Sequence, residues 1–126
     1  MIPSTAEIIE GWTFVSRRLG RTDKVNRSAV EAAVREAADL ARVETDEPPA
    51  LFYAFARRPR AILGGWRVMP RLLAGMHCRR LGLRLNADAD SLDRLRAQVV
   101  ATDLAFDDVR SWFRKHSERI TPPPAG

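Results

Sequence analysis

The chain has 126 residues, 45% of them apolar and 29% charged, and a formal net charge of +5 at pH 7. That length fits one domain, which buries roughly two thirds of its unfolded surface and needs neither metal nor disulfide to fold. A single cysteine, Cys78, excludes an internal disulfide framework, and no apolar run reaches the length of a membrane span.

The opening Met1-Ile2-Pro3-Ser4 has no basic segment followed by an apolar stretch. No signal peptide is therefore expected, and the reading is cytoplasmic. Ser4 and Glu7 form a capping-box pattern, and Ile8, Trp12, Val15 and Leu19 follow at helical spacing before Gly20. A first helix is expected over Thr5 to Leu19. Ser28 and Glu31 repeat the capping box ahead of the stripe Val30, Val34, Ala37, Leu40 and Ala41, which predicts a second helix over Ala29 to Val43. Pro48-Pro49 suits a first helical turn, so a third helix is expected over Pro49 to Arg57. It reads Ala50-Leu51-Phe52-Tyr53-Ala54-Phe55-Ala56, apolar on nearly every side, which predicts a buried central helix.

Pro59 ends that helix, and a loop from Arg58 to Arg67 contains Gly64-Gly65. A fourth helix is expected over Val68 to Leu81, stopped by Gly82, with a short extended piece at Leu83-Arg84-Leu85-Asn86. Leu92, Leu95, Val99 and Val100 mark a fifth helix capped by Asp90 or Ser91, and Phe106, Val109, Trp112 and Phe113 mark a sixth. No segment longer than four residues shows strand alternation. The expected fold is all-α: a compact bundle of about six helices around a buried central helix. It forms a single helical domain over 1–120, followed by a disordered Pro-rich tail at 121–126.

Charge is unevenly placed. From Leu51 to Asn86 there are eight arginines, at positions 57, 58, 60, 67, 71, 79, 80 and 84, and no Asp or Glu. The flanks are slightly acidic, so the whole positive excess lies in this stretch. The block surrounds Gly64-Gly65-Trp66-Arg67, which opens the fourth helix. Free backbone N–H groups and the helix dipole make such a start an anion site, and glycines let an anion approach the backbone. Gly64, Gly65, Trp66, Arg67, Arg71 and Arg60 are the expected anion-binding residues, with phosphate or carboxylate as ligand. Trp66 either stacks on a base or caps the core.

An apolar central helix, a glycine-containing loop, a helix, the LRLN stretch and two more helices, the last carrying Trp112, resemble the Fic/Doc (death-on-curing) toxin family over residues 48–114. The family loop reads H-P-F-x-x-G-N-K/G-R, and Arg60 to Val68 falls on it. Gly65 matches the glycine. Arg60 stands where the family has its histidine base, Ala61 and Ile62 where it has Pro-Phe, Trp66 at its Asn, Arg67 at its Lys/Gly and Val68 at its arginine. The resemblance implies a Fic/Doc-like helical bundle, a toxin-type module and an antitoxin-like partner protein.

Transfer by that family's chemistry needs a base that titrates near working pH, and an arginine stays protonated to roughly pH 12 and beyond. His77 lies about ten residues into the next helix, roughly 15 Å from the loop, and reads as structural. Cys78 beside it points about 100° away, so the two form no catalytic pair. Asp88, Asp90 and Asp93 read as caps rather than a metal loop. The expected function is therefore a Fic/Doc-like module with a degraded loop. It binds a nucleotide, another phosphate ligand or a partner protein without group transfer, and has no catalytic residue, cofactor or metal. Two alternatives remain at this point: a basic helical nucleic-acid-binding protein, and an enzyme with a substituted catalytic residue.

Overall fold

The computed structural model describes residues 1–20, 24–62, 65 and 67–120. The expected tail at 121–126 lies outside the described residues. Six α-helices are present among them: α1 (Thr5–Arg18), α2 (Arg27–Leu40), α3 (Glu47–Ala56), α4 (Met69–Arg80), α5 (Ala89–Thr102) and α6 (Phe106–His116). The all-α expectation holds, and α3 is the buried central helix: every residue from Pro48 to Ala56 is buried. Its sequence offers no polar face, so it can only sit inside, and it packs against α2, α4, α5 and α6.

Local chemistry sets the ends of the elements. At α1, Ser4 Oγ accepts from Glu7 N at 3.2 Å while Glu7 Oε1 accepts from Ser4 N, the reciprocal capping box that the sequence predicts. At α2 the cap is Asn26, whose Oδ1 accepts from Ala29 N at 3.2 Å, and the helix starts two residues before the expected Ala29. The Ser28/Glu31 box does not form, because Asn26 reaches the first-turn N–H groups earlier. A 3-10 turn at Glu44–Asp46 leads directly into α3, which therefore begins at Glu47 rather than Pro49. Asp88, not Asp90 or Ser91, caps α5, accepting from Ser91 N at 2.7 Å.

Two short strands complete the fold. β1 (Leu83–Leu85) pairs antiparallel with β2 (Ser117–Arg119), with Leu83 opposite Arg119 and Leu85 opposite Ser117. The LRL segment thus finds a partner directly after α6. Gly82, at φ +73°, makes the turn out of α4, where a side chain would be strained. Two groups of buried side chains form the core. On one side of α3, Leu51, Ala54 and Phe55 pack with Ile8, Trp12, Val30, Ile62 and Met69. On the other, Phe52, Tyr53 and Ala56 pack with Leu92, Leu95, Val99, Val109 and Phe113. Asp46 is buried at the head of α3, with Arg114 Nη2 3.2 Å from its Oδ1, which ties α6 to the start of the central helix.

Candidate anion-binding site

Of the six residues expected at the site, Gly64 and Trp66 lie outside the described residues. Gly65 is buried, and a Cβ there would run into the Trp12 ring and Ile62. Close packing on α1 therefore requires this glycine. Its carbonyl accepts from both Val68 N (3.1 Å) and Met69 N (2.9 Å). Pro70 has no N–H. Two of the first three helical residues of α4 thus offer no backbone donor to a ligand, so the helix start is more closed than the two-glycine pattern suggests. No side chain caps it either. Arg60 and Arg67 are both exposed.

Arg67 apart, the fold sorts the arginines of the acid-free stretch into two sets. Glu36 of α2 holds Arg57 and Arg58 at 3.1 Å each, and Arg57 also lies over the Tyr53 ring. Arg84 on β1 meets Glu118 on β2 at 3.3 Å, both side chains more than half exposed. Such a pair is worth little and exchanges readily. Arg60, Arg71, Arg79 and Arg80 have no ion-pair partner among the described residues.

Arg71 and Arg79 line one groove with Arg84. The groove runs along α4, β1 and the start of α5, holds about 540 Å³ and has no acidic residue in its lining. Leu72, Leu83, Leu85 and Leu92 give it an apolar floor. The spacing of Arg71, Gly75 and Arg79 puts all three on one helix face. At Gly75 a Cβ would meet nothing within 4 Å, so the row has an open notch between its two guanidinium groups.

The two ends of the row differ electrostatically. Arg79 and Arg80 sit in the last turn of α4, where the helix dipole favours cations. Arg71 sits in the first turn, at the positive end, and that turn has no acid to offset it. Of the four expected residues that are described, Arg71 is the one that lines this groove. Arg79 and Arg84 are its neighbours there, and sequence reasoning did not single them out. The i, i+4, i+8 spacing of 71, 75 and 79 was the readable signal. Arg84 came in only through the strand pairing.

The two histidines and the cysteine lie outside this groove. His77 is buried, with Nε2 2.9 Å from Glu47 Oε1, and the Met1 ammonium lies at the same distance from that oxygen. Burial pushes the Glu47 carboxyl up, but the hydrogen bonds from His77 and the ammonium outweigh it and hold the group below its ordinary value. Burial alone pushes the Cys78 thiol up to about 11, so it is not a thiolate at neutral pH. His116 stacks on Trp112, with ring centroids 4.0 Å apart. Among the described residues no group of His, Cys, Asp and Glu has the makings of a metal site, and no helix is long and apolar enough to cross a membrane. Compared with family models, curated proteins and solved structures, the chain matches none.

Proposed function

We propose that this protein is a Fic/Doc-like module without group-transfer activity that binds a phosphate-bearing ligand, a mononucleotide in the first instance, in the groove along α4. The observation that carries the reading is Arg71. Among the described residues it has no ion-pair partner, and it sits at the positive end of a helix in a groove that two further arginines share and no acid lines. A bound anion would offset the unfavourable charge at that helix end. Guanidinium groups meet phosphate oxygens through paired N–H donors, and the leucine floor suits the flat face of a base. Arg60 at the family's histidine position supports binding without transfer, because it cannot accept a proton at neutral pH. The resemblance also implies an antitoxin-like partner protein.

The test is titration of the whole chain with a mononucleotide, inorganic phosphate and a short DNA duplex, at low and high salt. Nucleotide affinity should fall with salt. Arg71→Ala and Arg79→Ala should each weaken it by about tenfold, the loss of one charge-assisted hydrogen-bonded contact. If both variants bind as the parent does, the groove is not the site. If duplex binds far better than mononucleotide, and with a steep salt slope, the protein is a nucleic-acid-binding module instead.

A further inference from the structure

A second cavity lies on the other flank of α4, between it and α1, and is separated from the arginine groove by Leu72 and Met76, which border both. Trp12 of α1 packs on Gly65 just before α4, while Glu7 at the start of α1 shares the cavity with His77 and Arg80 at the end of α4. The two helices therefore run antiparallel and give the cavity one polar end. The remainder is apolar, walled by Ile8, Trp12, Val15 and Leu73. Its volume is about 190 Å³. That is smaller than the roughly 300–1,000 Å³ of a drug-sized ligand site. It corresponds to the space of roughly six water molecules.

The polar end holds one acid and one base that do not pair with each other. Glu7 spends one oxygen on the cap of α1, 3.4 Å from Ser4 N, and Arg80 has no partner among the described residues. Behind them His77 gives its Nε2 side to Glu47. An ionised carboxylate only accepts, so Nε2 carries a proton in that contact. The ring's Nδ1 is buried and has no hydrogen-bond partner, and the same holds for Trp12 Nε1 in the apolar wall. Buried polar atoms left unmatched are costly, and two of them belong to residues that border one small cavity.

We propose that this cavity binds a small apolar α-amino acid, its side chain between α1 and α4 and its zwitterionic head across Glu7 and Arg80. A simple carboxylate would meet Arg80 but face Glu7, and a simple amine the reverse. Only a head of both signs finds a partner at each residue. The wall residue Trp12 supplies the readout. The full chain is titrated with leucine while tryptophan emission is followed. The same is done with 4-methylpentanoate, which lacks the amine, and isoamylamine, which lacks the carboxylate. Leucine should change the emission saturably, and each truncated probe should bind about tenfold or more weakly. Arg80→Gln should weaken leucine about tenfold and leave isoamylamine unchanged. Gly11→Leu fills the cavity from a helix face where a Cβ meets nothing within 4 Å, so the response should vanish while the helical circular dichroism is kept. Trp12→Phe identifies the reporting ring. The proposal is overturned if leucine does not saturate, if the one-charge probes bind as tightly as leucine, or if Gly11→Leu binds like the parent.

Discussion

Two residues show how a position acquires its meaning from a neighbour far away in the chain. Gly65 looks like a loop glycine, but it is needed because the Trp12 ring lies where its Cβ would be. Gly65→Ala must therefore displace a buried indole, and it should lower stability by roughly 1–3 kcal/mol, measured by urea denaturation. An unchanged midpoint would show that Trp12 has another seat. Glu47 joins α3 to α4 through His77, and its carboxyl is held below its ordinary value of 4.5. A carboxyl with a depressed folded-state value stabilises the fold above its unfolded value and loses that contribution as pH falls through the folded one. Thermal stability should thus drop as the solution is acidified below about pH 4.5, and Glu47→Gln should flatten that part of the profile. An identical acid limb in the variant would place the sensitivity elsewhere.

Among the elements, capping decides the boundaries. Asp88 accepts from Ser91 N at the head of α5, and its carboxyl is lowered by that bond. Asp88→Ala should lower the midpoint of a thermal or urea melt, whereas Asp90→Ala should move it much less, since Asp90 is not the cap. The helices were legible from their apolar periods and from the stops at Gly20, Pro59 and Gly82, and α3 was legible as central because it has no polar side to show. The errors at the starts of α2 and α5 are of one kind. Asn26 and Asp88 took caps that Ser28 and Ser91 could equally have supplied, and a cap two or three residues early shifts an end without changing the pattern. The β1–β2 pair was hidden because neither three-residue strand has a signal of its own; each exists only as the other's partner. The candidate site was half legible for the same reason. The spacing of Arg71 and Arg79 could be read along the chain, but Glu36 cancelling Arg57 and Arg58 while sparing the α4 arginines depends on how α2 lies against α3.

At the scale of the whole molecule, α3 is the wall common to both groups of core side chains. Phe52 is fully buried and packs on Phe113 with ring centroids 5.4 Å apart. Phe52→Ala should cost about 3–5 kcal/mol by chemical denaturation, enough to leave a chain of this size marginal. A loss under about 1 kcal/mol would mean that the site collapses onto the hole. Because Leu51, Ala54 and Phe55 face one way and Phe52, Tyr53 and Ala56 the other, neither half of the interior has a back wall without this one ten-residue helix. The halves are like two rooms sharing a single partition: neither can be emptied while the other stands. Melting of the helices before α3 and of those after it is thereby yoked into one event.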